Sequence, residues 1–291
     1  MKTLQVFYLA MATVLASCSS DDDNEQFPAN PNIAFYTMSS TATVTLPQPN
    51  VYQGYMRGNI VNNKFFSESF FNPATFEEST IQLFHYTGDL LTSYETGYTW
   101  ESYYYDNQQR LAATTFGDDT MQTLYRRFIY QSDTQVFAEI LTQPYDAPDT
   151  QILERYVLTL DGNSNIIAAG PDNDLDGTID QVNHFTYANG NLISAELYNG
   201  SAQTHSYSGV VNNFSVLSDN TYGKQNARLM QAQLYGGASF YPKPEHNRNI
   251  ETQEFESGQY EVLPNGYYRK SFRSYQYEGG HTDATCEFFF Q

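Results

Sequence analysis

Basic residues are scarce in this chain. Fourteen Lys and Arg stand against 33 Asp and Glu, a formal charge of −19 over 291 residues. A polyanion of that kind repels DNA, RNA and anionic lipid, which excludes nucleic acid as an expected partner, and it attracts divalent cations. Cysteine is almost absent: Cys18 and Cys286 are too few for a disulfide framework. Cys286, in TCEFFF, has no identifiable basic neighbour to lower its pKa and reads as a buried strand thiol. Beyond residue 17 no apolar run approaches the ~20 residues of a membrane-spanning helix. The sequence also lacks G-x-S-x-G, H-E-x-x-H, a phosphate-binding glycine loop and any paired-cysteine motif. Its five histidines (85, 184, 205, 246 and 281) are dispersed, and His85, His184 and His205 each sit in an aromatic strand-like segment. The expectation is a protein that is not an enzyme, although carboxylate pairs for glycoside hydrolysis leave no sequence signature among so many acids.

What is present begins at the N-terminus. Met1-Lys2 precedes a short apolar run, LQVFYLAMATVLA, which ends at Ser17-Cys18. Its length suits a signal peptide and is too short for a membrane span. Leu15-Ala16-Ser17-Cys18 resembles the lipobox of bacterial lipoproteins. That resemblance implies cleavage before Cys18, a diacylglycerol on its thiol and an acyl chain on the new N-terminus; several chains hold a protein stably where one does not. Ser20, Asp21, Asp22 and Asp23 resemble the export signal of surface-exposed lipoproteins of the Bacteroidota phylum. The alternative is a generic acidic tether, solvated and extended. The expected organisation is a signal peptide over 1–17, an acidic flexible tether over 18–32 and a single repeat-based β domain over 33–291.

That domain is rich in rings, with 25 Tyr and 20 Phe. Both favour strands, where they pack across neighbours. Six segments share an aromatic strand, a polar turn and an aliphatic strand. They are LFHYTGDLLTSYETG, SYYYDNQQRLAATTFG, RFIYQSDTQVFAEIL, YVLTLDGNSNIIAAG, HFTYANGNLISAELYNG and a degenerate HSYSGVVNNFSVL. Tyr86, Tyr105, Tyr130, Leu160, Tyr187 and Tyr207 align. In the fifth unit Asn189-Gly190 suits a two-residue turn that sets Tyr187 opposite Leu192 and Thr186 opposite Ile193. The pattern predicts a mainly β fold, an antiparallel β-hairpin meander forming an open, partly curled sheet or half-barrel. KQNARLMQAQLY, with Gly236-Gly237 as a stop, predicts one short helix near 224–235. The aromatic runs of residues 33–79 are expected to begin the same sheet.

Units such as YYYDNQQRLAAT and FTYANGNLISAELYNG resemble the YD (RHS-like) repeats of bacterial surface proteins. Over roughly residues 80–290 the chain resembles small Bacteroidota lipoproteins built of such repeats, a family with no assigned activity. Only Tyr105-Asp106 carries the literal YD dipeptide, and the units are too few to enclose a large shell.

The strongest candidate for chemistry is PDNDLDGTIDQVN, residues 171–183. Asp172, Asp174 and Asp176 alternate before Gly177, with Asp180 beyond, as in the D-x-D-x-D-G core of calcium loops. The expected ligands of one calcium ion are these four carboxylates and the carbonyl of Thr178. Asn183 stands where an EF-hand has its bidentate Glu, and the flanks read as strands, so the loop resembles the calcium loops inserted between strands of bacterial extracellular proteins. An ordinary Asp/Gly turn is the alternative. Two basic clusters, Arg126-Arg127 and Arg269-Lys270 with Arg273, are expected to pair with nearby carboxylates. The functional expectation is a lipid-anchored outer-membrane protein facing the cell exterior, with a structural, scaffold or binding role and an outer-membrane protein as partner. The alternative is glycan binding through exposed tyrosines.

Overall fold

The computed structural model describes residues 30–45, 49–72, 75, 77–118, 123–231, 242 and 247–291. Cys18 and Ser20, Asp21, Asp22 and Asp23 lie outside them, as do residues 232–235 of the expected helix. Residues Asn32–Gln291 form one unit by their contacts.

Hairpin follows hairpin along most of that unit, as alternating apolar segments broken by Asn, Asp and Gly turns dictate. The strands are β1 (Ile33–Val44), β2 (Asn50–Val61), β3 (Lys64–Phe71), β4 (Glu78–Thr87), β5 (Leu90–Thr96), β6 (Thr99–Tyr105) and β7 (Leu111–Asp118). Next come β8 (Thr123–Tyr130), β9 (Gln135–Leu141), β10 (Ile152–Leu160), β11 (Ile166–Pro171), β12 (Asn183–Ala188), β13 (Asn191–Glu196) and β14 (Ala202–Thr204). Each pairs antiparallel with the next. The chain then leaves the sheet for β15 (Tyr207–Val211), helices α1 (Asn213–Tyr222) and α2 (Lys224–Gln231), β16 (Asn249–Glu251) and α3 (Thr252–Ser257). It returns as β17 (Gln259–Val262), β18 (Tyr268–Tyr277) and β19 (Gly280–Phe290), and β19 pairs with β1. The result is a 17-stranded antiparallel sheet whose edges are β14 and β17. These edges share no pairing among the described residues, so the meander is open and not closed into a barrel, as expected from sequence.

The repeat has a defined geometry. In the hairpins β2–β3, β4–β5, β6–β7, β10–β11 and β12–β13 the register slips by one residue just after the turn, leaving Phe66, Thr92, Ala112, Ile167 and Ile193 bulged. Thr186 therefore faces Ser194 and not Ile193, a correction to the simple two-residue register; Tyr187 does face Leu192. The first or second residue of each return strand points inward. Leu91, Leu111, Val136, Ile166 and Leu192 are all at most 1% exposed and form one row of the core.

The segment read as a sixth hairpin is not one. Tyr207 begins β15, which pairs only with β16 in a separate two-stranded sheet, and NFSVL is the start of α1. Asn212 caps that helix, its side chain accepting the N–H of Ser215, and a short apolar run after such a cap follows the helical period as readily as the strand period. The expected helix near 224–235 is α2, one of three among the described residues.

The excursion between β14 and β17 lies against the inner face and completes its hydrogen bonding. Ladders between successive hairpins begin at Ser67, Ser93 and Ala113. The backbone two residues earlier is therefore left out, and buried backbone groups need partners. Tyr86 donates its hydroxyl to the Phe65 carbonyl (2.6 Å), Tyr105 to that of Leu91 (2.7 Å) and Tyr130 to that of Leu111 (3.0 Å). From the excursion, Thr221 accepts the N–H of Phe65, Asn226 that of Leu111 and Asn247 that of Leu192. Burial pushes the Tyr86 and Tyr105 hydroxyls up to about 12, so both remain donors at neutral pH.

Candidate metal centre and binding surface

The loop joining β11 to β12 carries the aspartates. Its stems close because Asp172 donates its N–H to the Arg155 carbonyl and Asp180 donates to that of Pro171, both at 2.9 Å. Gly170 permits the approach: a Cβ there would sit 2.1 Å from the Gln181 carbonyl oxygen. Within the loop, Leu175 and Gly177 take positive φ (61° and 90°), which turns the chain back on itself.

This path gathers carboxylate oxygens of Asp172, Asp174 and Asp176 within 4.8 Å of one another. Each pair at that separation repels by ~1 kcal/mol even at the dielectric constant of water. Asp174 and Asp176 are exposed, whereas Asp172 has no exposed surface. Oδ2 of Asp172 accepts the Gly177 N–H at 3.1 Å and lies 3.5 Å from the Arg155 guanidinium, while Oδ1 has no hydrogen-bond partner among the described residues. Arg155 is otherwise engaged, with Oε1 of buried Glu139 (2.7 Å) and the Leu175 carbonyl (3.2 Å). Thr178 gives both its hydroxyl and its N–H to Asp176, which holds that carboxyl below its usual range and therefore ionised. Asp180 lies outside the three-carboxylate group: its Oδ2 accepts the backbone and side-chain N–H groups of Asn173, at 2.7 and 2.9 Å.

Among the other reactive side chains, Cys286 is buried and His85 and His205 each have a carboxylate partner. Burial pushes the Cys286 thiol up to about 12, the opposite of nucleophile activation. His85 meets Glu95 at 3.2 Å and His205 meets Glu251 at 2.8 Å. The arginines of the basic clusters pair with carboxylates: Arg126 with Glu101, Arg127 with Glu139, Arg269 with Glu261 and Arg273 with Glu254; the pairing expected of Lys270 is not among these contacts.

A second feature was visible in sequence only as tyrosine abundance. On the long strands the register aligns Tyr52, Ala42, Thr282 and Tyr275 across β2, β1, β19 and β18, all on one face. One row inward lie Gly54, Ser40, Ala284 and Arg273. Further along that face, Tyr36 and Phe288 are buried under Phe214 of α1, each ring centroid 5.1 Å from it. The helix thus covers one part of the face and leaves the Tyr52–Tyr275 row open; these two rings are 59% and 51% exposed. Between them is a floor of small side chains, three strand spacings or ~14 Å wide. Where floor and helix meet is a cavity of about 450 Å³ lined by Met38, Phe214, Glu254, Arg273, Tyr275 and Ala284, among others. Arg273 there bonds Glu254 and the Tyr260 hydroxyl. The repeat tyrosines 86, 105 and 130 are not part of this surface.

No helix among the described residues is long and apolar enough to cross a membrane, which says nothing of strands. No protein-family model and no curated protein matches the sequence. Among solved structures the chain is similar to a porin-like protein from Bacteroides uniformis, with a TM-score of 0.35 and 11% identity over 91% of this chain and 100% of that one. It is also similar to a porin-like protein from Bacteroides vulgatus, with a TM-score of 0.32 and 8% identity over 90% and 99% of the two chains. At such scores neither likeness transfers a role.

Proposed function

We propose that this chain is an outer-membrane lipoprotein, anchored through diacylglycerol and an acyl chain on Cys18 and facing the cell exterior, that acts as a non-catalytic binding module for a glycan. The observation that carries the ligand class is the open row in which Tyr52 and Tyr275 flank a floor of Ala42 and Thr282. A sugar ring offers an apolar face that stacks on an aromatic side chain and a rim of hydroxyls that need polar partners. Arg273 and Glu254 supply such partners at the inner end of the row. The acidic run at Asp21, Asp22 and Asp23 would hold the domain away from an anionic surface.

The soluble domain should be retained on an immobilised neutral polysaccharide gel, and replacing both flanking tyrosines by Ala should abolish retention. Intact-mass analysis of membrane-extracted protein should show loss of residues 1–17 and a lipidated Cys18; a Cys18→Ser protein that still partitions with membrane would refute the anchor. A second reading, a scaffold for another outer-membrane protein, is favoured by the outward rings Trp100, Tyr104 and Tyr145, the last two with centroids 5.5 Å apart. Crosslinking on intact cells would then capture a protein partner while the gel retains nothing.

A further inference from the structure

We infer that Asp172, Asp174 and Asp176 hold one calcium ion, with the buried carboxylate of Asp172 as the innermost ligand. Two independent observations meet at this point. The first is the convergence of three carboxylates within 4.8 Å. The second is that Asp172, with no exposed surface, leaves Oδ1 without a hydrogen-bond partner among the described residues. A buried, unpartnered carboxylate oxygen is costly. The nearest cation, Arg155, is turned to Oδ2 and to Glu139 and the Leu175 carbonyl. Asp174 and Asp176 carry the same sign of charge and donate nothing from their side chains. A single cation is what satisfies all three.

The ligand set fixes the kind of cation. Every candidate ligand is a hard oxygen, with no imidazole or thiolate in the group, which excludes the softer transition metals as preferred occupants. The loop is irregular, with positive φ at Leu175 and Gly177, and two of its three carboxylates are open to water. Calcium accepts six to eight oxygens in flexible geometry and completes its shell with water, whereas magnesium demands a near-ideal octahedron. Asp180 is held by Asn173 and the Arg155 guanidinium stands beside Asp172, so affinity is expected in the range of extracellular modules, on the order of 10⁻⁴–10⁻³ M. The loop also forms one wall of a cavity of about 540 Å³ lined by Leu153, Arg155, Tyr156, Asn173 and Gln181, among others, so an ion here orders that wall as well.

The test is calorimetric titration of the purified domain with calcium chloride and with magnesium chloride, together with melting in calcium and in chelator. Calcium should give a saturable heat with one site per chain, and at ~100-fold excess over its dissociation constant should raise the melting midpoint by ~5–10 °C. Hydrogen exchange of the amides of residues 172–180 should slow in calcium and in nothing else. Asp174→Ala with Asp176→Ala changes two exposed residues and relieves their repulsion. That protein also gives up the Thr178 hydrogen bonds of Asp176, and should still unfold cooperatively in chelator while losing the calcium heat. Absence of heat at millimolar calcium, an equal response to magnesium, or heat that survives the double substitution would each overturn the assignment.

Discussion

The short hairpins β4–β13 and the long strands β1, β2, β18 and β19 are built from the same aromatic-rich composition and do opposite things with it. In the short hairpins nearly every turn is followed by a bulge, and a bulge strengthens twist and bends the strand. Bending brings one row of aliphatic residues inward and splays the strand starts. The tyrosines at the ends of β4, β6 and β8 then cap the carbonyls so freed. In the long strands, β1–β2 pairs ten residues without a break and β18–β19 pairs eight. Where these ladders run unbroken the face stays open, its centre is floored by small residues, and the rings of Tyr52 and Tyr275 stay exposed. The same residue type is a structural bolt in one region and a surface in the other. Local register decides which.

That contrast is broken most severely through the core row. Leu111→Ala, at a site with no exposure, should cost ~2–5 kcal/mol in urea unfolding, whereas Tyr52→Ala in the long strands should change stability by less than ~0.5 kcal/mol. Equal losses at the two sites would show that the open face is packed after all. A smaller effect tests the tyrosine caps. Tyr105→Phe keeps the ring and removes only the hydroxyl that serves the Leu91 carbonyl, and should cost ~1–2 kcal/mol. The same change at Tyr275 should cost nothing measurable.

The smallest effect lies in the turns of the short hairpins. Asp106 and Asp161 each accept backbone N–H groups two and four residues ahead, with Arg110 or Asn165 closing the turn. Desolvation alone would raise both carboxyls, but these hydrogen bonds outweigh it and hold them below the ordinary 3.8. Because the native pKa lies below the unfolded one, the stabilisation is fully present above about pH 4 and is lost as pH falls through the native values. Urea midpoints measured down through this range should fall less steeply for Asp106→Asn with Asp161→Asn than for the native domain. An unchanged slope would mean the turns do not depend on ionised aspartate.

Much of this was legible because hairpins are local. The meander, the alignment of Tyr86, Tyr105 and Tyr130 and the pairing of Tyr187 with Leu192 follow from turn residues and alternation within a few positions. The bulges at Phe66, Thr92, Ala112, Ile167 and Ile193 were not read, since an extra residue leaves the apolar pattern intact while resetting which face it occupies. HSYSGVVNNFSVL misled for a related reason: its apolar run satisfies both periods until the Asn212 cap and packing against the sheet select the helix. The pairing of β1 with β19 joins the two ends of the domain, and nothing in either strand names its partner. At the aspartate loop, spacing alone located Asp172, Asp174 and Asp176. The diversion of Asp180 to Asn173 is a matter of loop path that spacing does not encode.

The central claim is that the tyrosines of the two regions have different work, and one paired measurement addresses it directly. Tyr52→Ala with Tyr275→Ala, and separately Tyr105→Phe, are compared for retention on the polysaccharide gel and for melting. The account predicts that the first protein melts like the native domain and elutes in the void, while the second melts lower and is retained as the native domain is. Retention unaffected by loss of Tyr52 and Tyr275, in a domain that itself binds the gel, would contradict it.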